Sequence, residues 1–430
     1  MVLIRPFRGI RYDPAIAGDL GLNVCPPFDV ITPELQQSLY ERSPYNIVRL
    51  ELARRGLSED PYESSAETQG QWLASGVLRR DAEPSLYVTE ETFEFAGQNL
   101  VRRGFTGAVR LEEYDREVVL PHESTRTEWV NDRVKLMGAA RAAYSPLLVA
   151  FRDDLRSSVG GILRAVSGGA PTLSIEPPDM PALRMWRVTD PGTQDVLCGT
   201  LRDSQLFIAD GHHRYEAALR YRSGTRSTRE VAPDESINYR MMLMVSVSEP
   251  GLITRGYHRS IEDPTPEELA ALKRNVAGLC DLELWDPPQG DDPAVAAAFA
   301  DALGSRQDHE LVFGVVGFEP GKFHIARARS LPPVETVLQQ SEYSRLHDLV
   351  INPAIAAERA DRVVGFQHDL TRVVECARSG DSAMAFAMRP APMDEFINIV
   401  TRGWRLPPKA TNFFPKPSAG AVIQTLEGLL

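Results

Sequence analysis

Residues 205–222 read QLFIADGHHRYEAALRYR, and this stretch decides the fold of the chain around it. The apolar run Leu206-Phe207-Ile208 is typical of a short buried strand. Asp210 follows as a good helix N-cap, and Gly211 permits the unusual backbone angles of a tight turn. Four residues then recur at the spacing of one helical face: Arg214, Ala217, Ala218 and Tyr221. The stretch therefore predicts a strand, a turn and a helix in direct succession.

The start of this predicted helix is suited to an anion. The first N–H groups of a helix have no acceptor within it, and the helix dipole is positive at that end. His212, His213 and Arg214 add donors in the first turn, and an arginine can bind phosphate through two parallel hydrogen bonds. Asp210 can orient an imidazole or, if exposed, help to hold a magnesium ion. We therefore predict a phosphate- or nucleotide-binding site formed by Asp210, Gly211, His212, His213 and Arg214.

Two other interpretations of the same residues stay open. Asp210 could be a satisfied N-cap followed by two histidines on the protein surface. Adjacent histidines also suggest zinc, but neighbouring side chains point in different directions on a helix, and no third ligand has the spacing of a zinc motif. We predict no resident metal site.

Composition restricts the classes of partner. The chain has 430 residues, of which 43% are hydrophobic and 25% charged, as in an ordinary globular protein. Its net charge of −12 argues against non-specific binding to nucleic acid or to anionic membranes. No run approaches the roughly 20 apolar residues that span a bilayer. The four cysteines form no CxxC pair, so we expect neither a zinc ribbon nor a disulfide scaffold, and we expect a cytoplasmic location.

Strand-like and helical segments alternate along the chain, which predicts a mixed α/β (α+β) architecture. We expect three parts. They are an N-terminal α/β part at 1–165 that contributes pocket loops, a phosphate-binding unit at 183–262, and a C-terminal α/β part at 263–430. The segment 166–182, rich in Gly, Pro and Ser, is the predicted linker.

Local signals place several elements. Two extended runs, 84–95 and 101–114, predict a hairpin. Thr32 in front of a proline predicts the start of a helix. Thr125 and Glu128 have the spacing of a capping box, which predicts the start of another helix.

Phosphoryl transfer to a hydroxyl needs positioned phosphates, neutralised charge, and a carboxylate to take or orient the hydroxyl proton. Asp29, in the proline-rich loop CPPFDV, and Glu123, in front of a predicted helix, are the candidate carboxylates. His213 of the turn is a third candidate catalytic residue. Asp29 could instead form an Asx-type turn, and Glu123 could be an ordinary first-turn acid.

Four residues are candidates for substrate binding: Asn46, Arg49, His122 and Arg133. Asn46 and Arg49 could bind a substrate carboxylate or a nucleotide base, or could belong to a plain turn that leads into a strand. His122 adjoins Glu123 near the positive end of a helix. Arg133 lies on an otherwise apolar helical face, so it is a snorkelling side chain, a member of a buried ion pair, or a ligand of a substrate carboxylate.

The C-terminal tail carries a small basic cluster, formed by Lys409, Thr411 and Lys416. This cluster could close over bound phosphates. It could also bind a neighbouring acidic surface, which we favour because the protein is acidic.

The string ADGHHRYEAAL resembles the signature of a bacterial and archaeal family known only as a domain of unknown function, number 1015. Four other segments are similar to what we expect of that family: PPFDVITPE at 26–34, SPYNIVRLEL at 43–52, LPHESTRTEWVNDRVKLM at 120–137 and PPKATNFFPK at 407–416. The resemblance covers nearly the whole chain, and it is specific because the motifs occur together. The tail departs at Ala410-Thr411-Asn412, where we expect Ser-Thr-Tyr.

The turn itself resembles the phosphate-binding turn of the ParB/sulfiredoxin superfamily, in which it holds nucleotide phosphates. Sulfiredoxin chemistry requires a cysteine where this chain has His212, and ParB-type DNA binding requires a basic helix-turn-helix region, so we expect neither activity. The free-serine kinases of this superfamily conflict least with the sequence. The resemblance implies a nucleotide- or phosphate-binding enzyme that phosphorylates a hydroxyl such as that of free L-serine, with ATP or ADP and Mg²⁺ as cofactors.

A nucleotide-responsive binding or switch protein of ParB-like type, without DNA binding, is the alternative. A purely structural role is a third interpretation. The partners expected under the first two are a small-molecule substrate and a nucleotide, with no nucleic acid and no membrane, and the chain could form a homodimer.

Overall fold

The computed structural model describes residues 1–56, 58–153, 159–305, 311–379, 383–407 and 409–430. By its internal contacts the chain divides into two compact units. The first unit is Met1–Ile253 together with Pro415–Leu430, and the second is Thr254–Phe414. Both contain helices and sheets, so the predicted mixed α/β class is confirmed. The three-part functional division expected from the sequence stays a prediction.

The α-helices of the described residues follow one another in this order: α1 Pro14–Ala17, α2 Pro33–Arg42, α3 Val48–Glu51, α4 Pro61–Ala74, α5 Thr127–Ala140, α6 Val159–Ser167, α7 Pro191–Thr200, α8 His212–Thr228, α9 Pro266–Leu279, α10 Asp292–Gly304, α11 Glu342–Leu346, α12 Ala357–Val363, α13 Leu370–Ser379 and α14 Met393–Thr401. Six of these carry a proline in the first turn, where its missing N–H is not needed. Thr32 caps α2 through a hydrogen bond from the Leu35 N–H, as predicted. The alternative that Asn46 and Arg49 belong to a plain turn leading into a strand is wrong, because the short helix α3 forms there.

The strands of the described residues are β1 Ile4–Arg5, β2 Ile10–Tyr12, β3 Leu78–Arg80, β4 Leu86–Phe95, β5 Gln98–Arg110, β6 Val119–Leu120, β7 Ala142–Ala143, β8 Leu147–Phe151, β9 Leu173–Ile175, β10 Ala182–Val188, β11 Leu206–Asp210, β12 Tyr239–Ser246, β13 Ile253–Arg255, β14 His258–Ile261, β15 Cys280–Trp285, β16 Val312–Val316, β17 Phe323–Ala328, β18 Val364–Gln367, β19 Met384–Met388, β20 Asn412–Phe414 and β21 Gln424–Thr425. The predicted hairpin is confirmed as the antiparallel pair β4–β5. The predicted linker contains a strand, because β9 pairs with β10. It is therefore part of a sheet and not a free connection.

A nine-stranded sheet organises the first unit. Its strands lie in the order β6-β11-β8-β12-β5-β4-β10-β9, and β1 also pairs with β5. Strand β11 runs antiparallel to β8 and parallel to β6, whereas β12 runs parallel to β8. The register of β11 on β8 shifts between Ile208 and Asp210, so the strand is irregular at the residue that leads into the turn.

The sheet is buried on both faces, because successive residues of a strand point to opposite sides. Leu86 and Val88 of β4 join one core cluster, and Tyr87 between them joins the other. Helix α8 packs its Tyr215 on the first face, whereas α4 packs its Trp72 on the second. Helix α8, which follows the turn, is thus anchored along the apolar face that its sequence predicts.

The second unit has its own sheet, in the order β15-β17-β16-β19-β14-β18, with every neighbouring pair antiparallel. Helices α10 and α13 cover one face through a cluster that includes Val295, Phe299 and Val373. Strands β13 and β20 form a separate two-stranded sheet. Pro408 of the tail lies outside the described residues.

In the described parts of the chain, no helix has the length and apolar content needed to cross a bilayer. The cysteines at 25, 198, 280 and 376 are free thiols.

A buried ion pair joins the two strands of the β4–β5 hairpin. Glu91 lies opposite Arg102, whose Nη2 is 2.5 Å from Glu91 Oε2, and both side chains are almost fully buried. Burial raises the pKa of Glu91, although the charge of Arg102 opposes that rise. Removing one partner would leave the other charge buried without compensation.

We predict that Arg102→Met lowers the free energy of unfolding by about 3–5 kcal/mol, because Glu91 then loses its counter-charge. The double variant Arg102→Met/Glu91→Leu should be more stable than the single variant. Urea unfolding, followed by circular dichroism, measures both. Arg110→Met on the same strand, which breaks an exposed pair with Glu112, should cost less than about 1 kcal/mol. A double variant no more stable than Arg102→Met would contradict this account of the pair.

Candidate functional site

Gly211 is the hinge between β11 and α8. Its φ of 98° and ψ of 29° lie in the left-handed region, which glycine adopts without strain. A Cβ at this position would lie 3.1 Å from the guanidinium of Arg214. Gly211 is also the N-cap of α8, without any side-chain capping bond. The prediction that Asp210 is the N-cap is therefore wrong, because the strand continues through Asp210 and turns its carboxylate toward other partners.

Asp210 lies between two cations. Its Oδ2 is 2.5 Å from Arg214 Nη2, and its Oδ1 pairs with Lys416 Nζ. Asp210 and Arg214 are buried, whereas the Lys416 side chain is 23% exposed. The tail residue Lys416 thus lies at the turn, and the acid that it contacts is Asp210. Lys409 and Thr411 of the same predicted cluster belong to the second unit.

His212 is held by the segment that precedes α5. Its Nε2 accepts the N–H of His122 at 3.3 Å, and its Nδ1 lies 3.5 Å from Glu123 Oε1. The two imidazole rings are perpendicular, with centroids 4.3 Å apart. His122 Nδ1 is 2.7 Å from the carbonyl oxygen of Ile208 in β11. The sequence-predicted residues His122, Glu123 and His212 are therefore in mutual contact.

His213 contacts the same segment at a later residue, Arg126. Its Nε2 accepts the N–H of Arg126 at 3.0 Å, and its ring packs against Trp129 with centroids 4.9 Å apart. Both histidines of the turn are buried, so the interpretation of two surface histidines is wrong. Because each Nε2 accepts a backbone N–H, we infer that both rings are neutral and carry their proton on Nδ1.

Helix α5 starts differently from the prediction. Its N-cap is Arg126, without a side-chain capping bond, and its first residue is Thr127. The predicted capping box of Thr125 and Glu128 is therefore wrong. The helix begins one residue later than the local signal indicates, and the N–H of its N-cap residue Arg126 donates to His213 Nε2.

Arg214 points into the protein interior. Its Nη1 donates to Ser145 Oγ at 2.9 Å and to the carbonyl oxygen of Pro146 at 2.7 Å, and its Nη2 binds Asp210. In the described residues, Nε has no hydrogen-bond partner. Both terminal nitrogens of Arg214 already donate to protein groups. The two parallel hydrogen bonds from Arg214 to a phosphate, which the sequence suggests, stay a prediction.

Asp29 lies in the short 3₁₀ helix Phe28–Val30. Within the described residues its Oδ1 is buried and without a hydrogen-bond partner. Phe28 contacts Trp129 with ring centroids 6.1 Å apart, and Trp129 in turn contacts His213. This series of ring contacts places the loop of Asp29 beside the start of α5 and near the turn. An unpaired buried carboxylate oxygen is costly, which is a common property of functional groups.

Arg133 is buried in an ion pair and does not snorkel. Its Nε donates to Asp132 Oδ2 at 2.7 Å, and its Nη1 donates to the carbonyl oxygen of Glu51 at 2.8 Å. The guanidinium also lies over the ring of Phe28, 4.1 Å from its centroid. Of the readings suggested by the sequence, the buried ion pair is the one that these contacts support.

Asn46 and Arg49 have contacts elsewhere in the first unit. Asn46 is fully buried, and its Nδ2 donates to the carbonyl oxygens of Leu22 and Val24. Arg49 donates to the carbonyl oxygen of Tyr40 at 2.7 Å and lies over the Tyr40 ring. These contacts brace the N-terminal loops. A role of either residue in substrate binding stays a prediction.

Sequence reasoning missed Glu51, Ser145 and Arg240, which lie close to Arg133 or Arg214. Glu51 and Ser145 carry no local signal. Arg240 does: it is a single charge in the strand YRMMLMVS, which is otherwise apolar and buried over most of its length. A lone arginine in such a strand indicates either a buried ion pair or a ligand.

Comparison with known proteins gives one family and several distant structures. The family model described as "Protein of unknown function (DUF1015)" matches residues 4–339. None of the curated proteins matches the chain.

Three solved structures illustrate the structural neighbours. A free serine kinase in complex with AMP is 14% identical, with a TM-score of 0.34, over 69% of this chain and 83% of that chain. A conserved hypothetical protein from Pyrococcus furiosus is 14% identical, with a TM-score of 0.36, over 73% and 94%. SbnI with a C-terminal truncation, from Staphylococcus aureus, is 9% identical, with a TM-score of 0.36, over 72% and 82%.

We predict that Gly211→Ala destabilises the first unit by about 1–2 kcal/mol, because alanine is strained at a positive φ. Gly224→Ala, at an exposed position in the same helix with no atom near the new Cβ, should instead stabilise by about 0.5–1 kcal/mol. Thermal and urea unfolding of the two variants check the opposite signs. Equal effects of the two substitutions would show that Gly211 is not held in this conformation.

A second prediction concerns pH. Burial lowers the pKa of His122 below its ordinary value of 6.5, with Lys416 adding to the effect and with Glu123 and Asp210 opposing it. The unfolded chain therefore takes up a proton on His122 at a higher pH than the folded protein does. The stability that depends on neutral His122 is present above pH 6.5 and is lost as the pH falls.

We therefore expect the melting temperature to fall between pH 7 and pH 5, and to fall less in His122→Asn. Asparagine keeps a donor for the carbonyl oxygen of Ile208 but does not titrate. Melting curves across this range measure the difference between the two proteins, and all other histidines are common to both. Identical pH dependence would exclude His122 as the titrating group.

Proposed function

The chain belongs to the DUF1015 family, and from that premise we propose that its Gly211 turn binds the phosphates of a nucleotide. We further propose that the protein is a small-molecule kinase that transfers a phosphoryl group to a hydroxyl, with free L-serine as the leading acceptor. The observation that carries the proposal is the start of α8. Its N-cap is a glycine without a side-chain cap, and a partly exposed lysine lies beside it.

The turn fits a phosphate group for three physical reasons. The helix dipole and the first N–H groups of α8 favour negative charge at Gly211. The missing Cβ of Gly211 lets an anion approach the backbone closely. Lys416 supplies a mobile positive charge, and its contact with Asp210 can be exchanged for a contact with phosphate.

A bound ATP or ADP supplies the phosphoryl group to be transferred. Asp210 does not fit as a ligand of Mg²⁺, because each of its oxygens already binds a cation of the protein. We propose that Mg²⁺ arrives on the nucleotide phosphates. Lys416 and the start of α8 would hold those phosphates.

Asp29 is the proposed general base. Its buried Oδ1, which has no hydrogen-bond partner among the described residues, can accept the proton of an acceptor hydroxyl or can orient that hydroxyl. Glu123 is the second candidate, and in this structure its carboxylate faces His212. His213 holds the segment before α5 through the Arg126 N–H, so we assign it a positioning role.

The contact between Lys416 and Asp210 also favours one alternative. A nucleotide that takes Lys416 away from Asp210 would loosen the tail from the turn. The protein would then act as a nucleotide-responsive switch, with or without slow hydrolysis and without DNA binding. A change in partner or in homodimer formation would be its output.

The remaining proposals concern location and partners. Free thiols at all four cysteines fit a reducing compartment, and we propose the cytoplasm. A net charge of −12 supports a small-molecule substrate and a nucleotide as partners in preference to nucleic acid or an anionic membrane.

The kinase proposal predicts acceptor-dependent turnover. The protein is incubated with Mg-ATP or Mg-ADP and a panel of hydroxyl-bearing amino acids, and the phosphorylated product is identified by mass spectrometry. Asp29→Asn should lower kcat by about 10²- to 10⁴-fold while leaving the thermal shift caused by nucleotide intact. Asp115→Asn, an exposed aspartate in another 3₁₀ helix, is the matched control and should keep full activity.

Nucleotide binding is tested on the same proteins. Lys416→Met should reduce the rise in melting temperature caused by nucleotide, and Lys135→Met, at an exposed position of α5, should not. Nucleotide binding without any acceptor product would favour the switch. The absence of a nucleotide-dependent shift in the wild-type protein would reject both functions.

A further inference from the structure

A polar cavity lies within the first unit, beside the Arg214 side chain. The cavity itself has a volume of about 20 Å³, and the wider space of about 280 Å³ around it includes open solvent. Its walls include Glu51, Arg133, Leu136, Ser145, Arg214 and Arg240. Three arginines, Arg133, Arg214 and Arg240, line this small space together with a single acid, Glu51.

Arg240 is the unusual member of this group. It lies on β12 and is only 4% exposed. Its Nη2 donates to the carbonyl oxygen of Ser145 at 3.2 Å, whereas its Nε and Nη1 have no hydrogen-bond partner within the described residues. Burial and the neighbouring charge of Arg214 lower the pKa of Arg240 to about 9. A buried cation with two unused donors is costly unless an anion completes it.

No acid of the described residues forms an ion pair with Arg240, although the charge of Glu51 in the same wall partly offsets that of Arg240. Arg214 is paired with Asp210, which also binds Lys416, and Arg133 is paired with Asp132. The remaining acid, Glu51, accepts a hydrogen bond from Ser145 at 3.0 Å and lies 3.8 Å from Arg133.

The unused donors lie on two of the arginines. Arg240 contributes Nε and Nη1, and Arg214 contributes Nε. Both residues line the same cavity. The described ion pairs therefore leave one positive charge and three N–H groups for a ligand.

We propose that this cavity binds the carboxylate of a small organic acid, with Arg240 as its main charge partner and Arg214 as the second donor. A carboxylate is favoured because one negative charge balances the one unpaired arginine, whereas a phosphate dianion would exceed it. Glu51 in the same wall would attract an ammonium group, so an α-amino acid fits the charge pattern best. Leu136 supplies an apolar side for its carbon atoms.

This inference deepens the proposed function and rests on it in one respect, the assignment of the bound acid as the phosphoryl acceptor. Arg214 connects the two regions, because the same side chain lines the cavity and binds Asp210 at the turn. An acid held by Arg240 and Arg214 would therefore be separated from the turn by a single arginine side chain. The binding itself does not require a nucleotide, and it can be measured alone.

Binding is tested by thermal shift and calorimetry on the full-length protein, with L-serine as the probe. Serinol, which replaces the carboxylate by a second hydroxymethyl group, is the matched ligand control. L-serine at about 100 times its dissociation constant should raise the melting temperature by about 5 °C or more. Serinol should leave the melting temperature unchanged. Equal shifts from L-serine and serinol, or no shift from L-serine, would overturn the proposal.

Sodium sulfate and sodium chloride, at matched ionic strength, separate a carboxylate site from a general anion site. Neither salt should reproduce the shift caused by L-serine. A shift of equal size from either salt would overturn the assignment to a carboxylate.

Arg240→Met tests the residue. The affinity for L-serine should fall by about 10- to 100-fold, the usual effect of losing a hydrogen bond to a charged group. The unliganded variant should melt at the same temperature as the wild type or higher, because an uncompensated buried charge has been removed. Arg110→Met, an exposed arginine on the neighbouring strand β5, should bind L-serine normally. Normal binding of L-serine by Arg240→Met would overturn the role of Arg240.

The phosphate site at Gly211 and the carboxylate cavity can be rejected independently of each other. If L-serine binds but no nucleotide shifts the melting temperature, the phosphate site at Gly211 is rejected and the carboxylate cavity stands. If nucleotide binds and L-serine does not, the cavity assignment is rejected and the turn stands.

Discussion

The contact of Asp210 with Arg214 and Lys416 is the interaction on which the rest of the site depends. It joins the last residue of β11, the first turn of α8 and a residue of the C-terminal tail at one carboxylate. Because the carboxylate is buried, its two charge-assisted bonds are strong and define the orientation of both cations. Gly211 lies against this arrangement, since a Cβ at its position would be only 3.1 Å from the Arg214 guanidinium.

Around that contact the protein has buried several polar groups that would be exposed in an isolated helix. The two histidines accept backbone N–H groups from the segment before α5, so the turn and that helix are held together without charge. Arg240 also lines a small cavity, and in the described residues its Nε and Nη1 have no hydrogen-bond partner. The first arrangement stabilises the fold, whereas the second leaves a free-energy cost that a ligand can relieve.

Local signals predicted the elements well where few long-range partners compete. The hairpin of β4 and β5, the Thr32 cap and the apolar face of α8 are each specified within a few residues, and each was confirmed. The predicted caps at Asp210 and Thr125 were wrong, and in both regions the observed contacts involve partners that are distant in sequence. Lys416 lies 206 residues along the chain from Asp210, and His213 lies 87 residues from Arg126, so these partners cannot be read from the local pattern.

The family could be assigned from the sequence because several motifs that resemble those of the family occur together along the chain. The mixed α/β class and the strand–turn–helix at 205–222 could also be predicted, because they depend on periodicity and on a glycine at one position. The tertiary structure alone decided which polar groups meet. It buried the histidines, brought Lys416 to the turn, and surrounded Ser145 with Arg214 and Arg240. The physical reason is that hydrogen bonds and ion pairs form between groups that are close in space. That proximity is set by the packing of the sheet and its helices and not by distance along the chain.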